Sequence, residues 1–374
     1  MAVDFIKKLI KSTKNEDAKL AEDGVFGDVA GYIDTGSYSL NALLSGSIYG
    51  GFASNKRLVY AGPPGVGKTY FLLQIAKSFL DKHEENVVVY FDSEGSITKD
   101  QLEQFKIDVK RFVVIPVSTI EDFRTQATRV LDSYQDRYGK GGETRMLLGL
   151  DSLGNLSSKK EVEDITAGKE ARDMTKAQLN RGAFRVLGLK CSILNVPLVV
   201  TNHTYDVVGS YVPTKEMSGG SGLKYVSDQV VLLTKSKYRD DDKEVVGAII
   251  KAKLEKSRQT IEQKDVETRL FFDKGLDKYY GLIDIAIKYG IFEKVSTKIV
   301  LTDGTSTFEK RILLSPEKYF TEEVLNKIDE ACKKEFLYQS NPSEIMNEEL
   351  DEDTIYNDPF EEIDNNDLNE VNDE

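Results

Sequence analysis

The residues with the most chemical content lie between positions 62 and 69. Gly62-Pro63-Pro64-Gly65-Val66-Gly67-Lys68-Thr69 fits the pattern G-x-x-x-x-G-K-[ST] throughout. In such a loop Gly65 and Gly67 let backbone N–H groups turn inward onto phosphate oxygens. A helix beginning near Lys68 points its positive dipole end at the same oxygens. Lys68 reaches the β- and γ-phosphates, and the Thr69 hydroxyl serves Mg²⁺. A nucleotide with its magnesium also needs a carboxylate at the tip of a neighbouring strand. The apolar run Met146-Leu147-Leu148-Gly149-Leu150 ends in Asp151, which is placed to hold Mg²⁺ through water. Hydrolysis further needs a group that orients or deprotonates the attacking water. Phe91-Asp92-Ser93-Glu94 offers two carboxylates, and the pattern alone does not choose between them.

These groups must be carried by strands and helices of the right kind. Leu58–Ala61, Val87–Phe91, Phe112–Pro116, Met146–Leu150 and Val196–Thr201 read as short, buried strands. Helical periodicity follows at Tyr70–Leu80, Lys99–Phe105, Ile120–Tyr138 and Leu179–Leu194. Gln229–Thr234 and Val246–Lys253 are further strands. The alternation predicts an α/β fold, with a largely parallel central sheet flanked by helices. Two long polar stretches, about 157–172 and 204–222, interrupt it, and loops of that length in a compact domain are usually functional. The expected organisation is an N-terminal arm over 1–30, a core over 31–280, a small and mostly helical C-terminal subdomain over 281–342, and a disordered acidic tail over 343–374. In the arm, Phe5, Ile6, Leu9 and Ile10 recur at helical spacing, for docking on the chain's own body or on a neighbouring subunit.

The 374 residues carry a formal net charge of −13, which argues against a nucleic-acid binder. The charge is unevenly placed, however. From Ser343 onward there are 14 Asp plus Glu and no Lys or Arg, so residues 1–342 hold 49 acids against 50 bases and are nearly neutral. The tail can mimic a polyanion and compete for a basic surface around Lys327, Lys333 and Lys334, or serve solubility and partner docking. Only two cysteines occur, Cys191 and Cys332, so a disulfide framework is not expected and a reducing compartment fits. Cys191, in an apolar stretch, reads as a free buried thiol. No apolar run approaches membrane-spanning length, so no membrane association is expected.

Four stretches, in this order and spacing, are together specific: Gly62–Thr69, Tyr90-Phe91-Asp92-Ser93-Glu94, Leu150-Asp151-Ser152-Leu153-Gly154-Asn155-Leu156 and Thr201-Asn202-His203-Thr204. The chain resembles the RecA family of recombinases over roughly 31–290. With Asn202-His203-Thr204-Tyr205 and Glu255-Lys256-Ser257-Arg258 included, it is most similar to the recombinases of T4-like bacteriophages. The resemblance implies a RecA-type phosphate-loop ATPase core using ATP and Mg²⁺. It favours Glu94 over Asp92 as the catalytic glutamate and makes His203 a γ-phosphate sensor. It implies that Lys256 and Arg258 reach across a filament interface to the neighbour's ATP, where cations neutralise charge on the γ-phosphoryl group. In one respect the chain departs from the family. Where several members place an aromatic that stacks on adenine, this chain has Gln101, leaving Phe105 or Phe272 as alternatives.

The resemblance also makes the two polar stretches DNA-binding loops. Lys159, Lys160, Lys169 and Arg172 fall in the first; Tyr205, Tyr211, Lys215, Gly219 and Gly220 fall in the second. Cations there would neutralise phosphates, glycines would allow backbone contacts, and tyrosine would stack on bases. The implied activity is an ATP-dependent, sequence-independent recombinase. It would form a homo-oligomeric helical filament on single-stranded DNA and exchange strands with a homologous duplex. The implied setting is the host bacterial cytoplasm, with a phage single-strand-binding protein and a recombination mediator (loader) as partners. A RecA-type ring helicase or motor, and a non-catalytic nucleotide-switched mediator, are the alternatives. The paired loops and short body favour the recombinase over the first. The full set Lys68, Thr69, Glu94 and Asp151 favours it over the second.

Overall fold

The computed structural model describes residues 2–169, 175–206, 215–218 and 222–338. Among them, ten strands form one sheet: β1 (Arg57–Gly62), β2 (Val87–Asp92), β3 (Phe112–Pro116), β4 (Met146–Asp151), β5 (Leu198–Asp206), β6 (Lys215–Met217), β7 (Gln229–Arg239), β8 (Val245–Ser257), β9 (Asp265–Phe271) and β10 (Gly275–Leu276). The spatial order is β10-β9-β8-β7-β1-β5-β4-β2-β3, with β6 paired to β5. From β7 to β3 every neighbouring pair is parallel, whereas β8, β9 and β10 add an antiparallel edge. This is the α/β fold with a largely parallel sheet that the strand–helix alternation predicts.

The central strands read as unbroken apolar runs because both of their faces are buried. Leu58, Tyr60, Val88, Tyr90 and Leu147 point to one core, whereas Val59, Ala61, Val89, Phe91, Leu148 and Leu150 point to the other. The first core is closed by Phe71, Leu72, Ile75 and Phe79 of the helix Lys68–Lys82, at helical spacing. The second is closed by Ile120, Phe123, Ala127, Leu131 and Tyr134 of the helix Ile120–Tyr138, together with Phe184, Leu187 and Cys191 of the helix Lys176–Leu194. Each such side chain contributes about 2 kcal/mol on burial. Both cysteines are buried free thiols, and burial pushes each thiol up to about 12.

The region after 280 is less helical than its sequence suggests. Three short antiparallel strands, Glu293–Val295, Lys298–Val300 and Ser306–Phe308, precede the helix Glu322–Phe336. Three-residue strands have too little length for alternation to show. Leu282, Phe292, Ile328 and Phe336 belong to the same core as Leu58 and Phe71, and residues up to Tyr338 form one compact unit. In the basic surface expected here, Lys327 is already paired with Glu323, and Lys333 with Asp329 and Glu330. Tail residues 343–374 lie outside the described residues. At the other end, the helix Ala2–Ser12 leaves Phe5 and Leu9 exposed, and Asp17 pairs with Lys140 of the body. Among the described residues no helix is long and apolar enough to cross a membrane.

Glu335 fastens the last helix to the antiparallel edge. It pairs with Lys264 and Lys288 and accepts a hydrogen bond from the Tyr289 hydroxyl at 2.7 Å. Desolvation raises its pKa, but these donors outweigh that and hold the carboxyl down at about 2. A carboxylate depressed in the folded state stabilises above its unfolded pKa and loses that contribution as pH falls through the folded value. Glu335→Gln is therefore expected to cost about 2 kcal/mol at pH 7, the difference closing as pH falls from about 5 to about 2. Chemical denaturation across that pH range measures it; a deficit independent of pH would show that charge is not its source.

Candidate active site

The phosphate loop joins β1 to the helix Lys68–Lys82 at the C-terminal end of the parallel strands. Gly67 caps that helix with φ 104°, a left-handed conformation that a Cβ would strain. Gly65 also has positive φ. Lys68 is buried and donates to the carbonyls of Gly62 and Pro63, each at 3.0 Å. Burial lowers its pKa, opposed by the carboxylates of Asp151 and Glu94. Val66 turns into the core, so the loop is anchored from below by the residue that its pattern leaves unspecified.

Asp151 ends β4, two strands from the loop, and is 1 % exposed. One carboxylate oxygen accepts from the hydroxyls of Thr69 and Tyr90, both at 2.6 Å, and the other accepts from the Thr201 hydroxyl. Burial and the Asp151 carboxylate both push the Tyr90 phenol up, keeping it a neutral donor. A carboxylate with an adjoining threonine hydroxyl is a hard oxygen set that fits Mg²⁺. Thr69 and Asp151 are the residues that would hold it.

The structure separates the two carboxylates that the pattern left undecided. Asp92 is consumed locally: its Oδ1 accepts the backbone N–H groups of Glu94 at 3.0 Å and Gly95 at 2.8 Å, forming the turn after β2. Glu94 instead faces the mouth of the site. Its Oε1 accepts from Ser152 Oγ and Asn155 Nδ2, both at 2.9 Å, and lies 3.3 Å from His203 Nε2. The other ring nitrogen of His203 is 3.5 Å from Lys68 Nζ. Gly154 makes room for that ring, since a Cβ there would stand 2.8 Å from His203 Cδ2. Glu94, Lys68 and His203 thus form one cluster.

A cleft of about 400 Å³ runs from Thr69 and Glu94 to Tyr70, Ile97, Gln101 and Phe105. Its far wall is the Tyr70–Phe105 pair, with centroids 4.9 Å apart. The Gln101 carbonyl is committed to the Thr98 backbone N–H in a capping box, so its amide N–H₂ is the polar group left for the cleft. Phe272 is 70 % exposed and does not line this cleft. Tyr70, which the pattern did not single out, is identifiable only from its place one residue beyond the phosphate loop.

Lys256 and Arg258 are not part of this cluster. In the register, Lys256 stands opposite Val230, and Gln229 beside it pairs with Leu58, at the N-terminal end of the parallel strands. Lys256 Nζ donates to the carbonyls of Lys224 at 2.7 Å and Tyr225 at 3.0 Å, and burial, then Arg258, lowers its pKa. Arg258 lies 3.3 Å from Asp228.

The first polar stretch is not a bare loop. A helix spans Lys159–Thr166, capped by Ser158 and Glu161 in a reciprocal box, with Val162 and Ile165 exposed. Lys159 lies 3.3 Å from Asp122 and Lys169 lies 3.8 Å from Asp164; Lys160 is exposed. The second stretch is a hairpin. β5 continues past His203, and β6 pairs back in register Thr204↔Met217, Tyr205↔Glu216 and Asp206↔Lys215. Ser218 N donates to the His203 carbonyl at 2.8 Å, so the hairpin closes on the residue that touches Glu94. Tyr205 is exposed. Arg172, Tyr211, Gly219 and Gly220 lie outside the described residues. Arg181 and Arg185, one helical turn apart and exposed on the helix after the first stretch, are basic groups that the loop-centred reading missed; their i, i+4 spacing was the available signal.

The fold and these groups define a phosphate-loop α/β protein of the nucleoside-triphosphatase class. Residues 15–277 match the RecA N-terminal domain family, and the chain belongs to the RecA family. It is 33 % identical to the recombination and repair protein of Enterobacteria phage T4 over 292 residues, covering 78 % of this chain and 72 % of that one. It is 26 % identical to RecA of Malacoplasma penetrans, covering 69 % and 77 % of the two chains. It is also 26 % identical to RecA of Allorhizobium ampelinum, covering 70 % and 68 %.

The two carboxylates give a direct test. Glu94→Gln is expected to lower ATP turnover on single-stranded DNA by at least about 100-fold. Asp92→Asn, which keeps an acceptor for the two backbone N–H groups, should stay within about threefold of wild type. Phosphate release measures both; the reverse ranking would move the catalytic role to Asp92.

Proposed function

We propose that the chain is an ATP-dependent DNA recombinase. It forms a helical filament on single-stranded DNA, hydrolyses ATP between adjacent subunits and catalyses pairing and strand exchange with a homologous duplex. The observation that carries this reading is the split placement of the hydrolytic groups. Lys68, Thr69, Glu94, Asp151 and His203 gather at one end of the sheet, and Lys256 and Arg258 at the other. A head-to-tail assembly sets one subunit's cations against the next subunit's nucleotide.

In this reading Gly62–Thr69 cradles the phosphates and Lys68 leaves the carbonyls of Gly62 and Pro63 for the β- and γ-phosphates. Thr69 and Asp151 would hold Mg²⁺, which would supply positive charge against the phosphates. Glu94 orients the attacking water and accepts its proton, while the Ser152 and Asn155 donors fix its rotamer. Lys256 and Arg258 of the adjacent subunit stabilise charge on the transferring phosphoryl group. His203 senses the γ-phosphate and, because the hairpin closes on its carbonyl, passes that state to the second DNA-binding loop.

Lys159, Lys160, Lys169 and Arg172, with Tyr205, Lys215, Gly219 and Gly220, contact the DNA strand without reading sequence. The exposed Phe5 and Leu9 face of the arm docks on a neighbouring subunit. The filament works in the host bacterial cytoplasm beside a phage single-strand-binding protein and a loader. Joint-molecule formation between a single strand and a homologous duplex, with ATP and Mg²⁺, tests the proposal. Joint molecules that need ATP and homology are expected. DNA-stimulated ATPase with closed rings and no joint molecules would make the chain a motor instead.

A further inference from the structure

Asp228 is a buried carboxylate that none of the steps above uses. Its side chain is 4 % exposed, in the segment between the short helix Gly222–Val226 and β7. Oδ2 accepts from the Arg57 backbone N–H at 2.9 Å and from Arg57 Nε at 2.8 Å. Oδ1 accepts from Arg57 Nη2 at 3.0 Å and from Arg258 Nη1 at 3.3 Å. The backbones are tied as well: Asp228 N donates to the Arg57 carbonyl at 3.0 Å, and Arg258 N donates to the Asp228 carbonyl at 3.1 Å.

Arg57 is itself immobilised, because its guanidinium fills the space beside Gly188, where a Cβ would lie 1.8 Å from Nη1. The bidentate Arg57 pair therefore fixes the Asp228 carboxylate in orientation, and the carboxylate in turn holds one edge of Arg258. The Arg258 side chain stays 55 % exposed, so the remaining donors of its guanidinium face outward. Lys256 is moored on the same segment through the carbonyls of Lys224 and Tyr225.

We infer that Asp228 is a positioning residue for ATP hydrolysis: with Arg57 as its buttress, it aims Arg258 at the nucleotide of the neighbouring subunit. A long, exposed arginine pays rotamer entropy each time it must find a phosphate, and a fixed carboxylate at its base removes part of that cost. The inference rests on the reading that Arg258 acts across a subunit interface.

The test is steady-state ATPase of the full chain on a single-stranded oligonucleotide, for Asp228→Asn, Arg258→Ala and the double variant. Asp228→Asn is expected to lower kcat about tenfold and leave KM for ATP within about twofold, because its own nucleotide site is at the other end of the sheet. The double variant should be no slower than Arg258→Ala alone, since residues acting as one unit are not additive. Because Asp228→Asn leaves the buried Arg57 charge uncompensated, Arg57→Gln/Asp228→Asn removes both charges together and should repeat the kcat loss while thermal unfolding reports an intact fold. Losses that multiply in the double variant, or wild-type kcat in a folded Asp228 variant, would overturn the inference. Wild-type kcat in Arg258→Ala would instead overturn the trans role of Arg258, and this inference with it.

Discussion

The polarity of the parallel sheet is the constraint on which the rest depends. Parallel strands place all their C-terminal ends at one edge, where loops can converge on a ligand. The phosphate loop after β1, Glu94 after β2, Asp151 at the end of β4 and His203 on β5 meet there. Because β8 runs antiparallel to β7, its C-terminal end, with Lys256 and then Arg258, falls opposite the start of β7 at the other end of the sheet. Leu58 and Gly62 alone are separated by about 13 Å of extended strand. No side-chain rotation closes that gap, so in the proposed reading a single chain carries half of the hydrolytic site.

Within the first half, burial sets the electrostatics. A carboxylate at 1 % exposure is tolerated because three hydroxyls satisfy it, and those hydroxyls come from the phosphate-loop helix, β2 and β5. Asp151 is thus a structural cross-brace as well as the proposed metal position. Lys68 is desolvated next to it and to Glu94, which keeps it close to the phosphates that would replace its carbonyl partners. His203 sits between Glu94 and the hairpin base, so in the proposed reading a change at the nucleotide is one hydrogen bond from the second DNA-binding loop. At the other end of the sheet, the segment that follows that stretch moors Lys256 and Arg258.

The sequence was most legible where one local pattern carries the meaning. The phosphate loop is contiguous, and the central strands are apolar runs because both of their faces are buried. It was least legible where burial is polar or partners are distant. β9, Asp265-Val266-Glu267-Thr268-Arg269-Leu270-Phe271, looks solvated, yet Thr268 and Arg269 are buried. Arg269 is paired with Asp277 and stacked against Tyr238, Phe271 and Tyr280. The helix Lys159–Thr166 hides in a charged stretch because only Val162 and Ile165 mark it. The division of labour between Asp92 and Glu94 depends on where a turn spends its acceptors, and the Arg57–Asp228 pair spans 171 positions. No local pattern contains the Arg57–Asp228 pair, and Glu94's own partners, Ser152 and Asn155, are also distant in sequence.

The most direct measurement of the split site is ATPase complementation between two inactive variants assembled on single-stranded DNA. Glu94→Gln keeps the cations but loses the water-orienting group; Lys256→Ala/Arg258→Ala does the reverse. Mixed in equal amounts, about a quarter of the interfaces should pair an intact Glu94 with intact cations, and turnover should recover to about that fraction of wild type. Mixtures that stay as inactive as either variant alone, at every ratio and in filaments shown to contain both, would contradict a site shared between subunits.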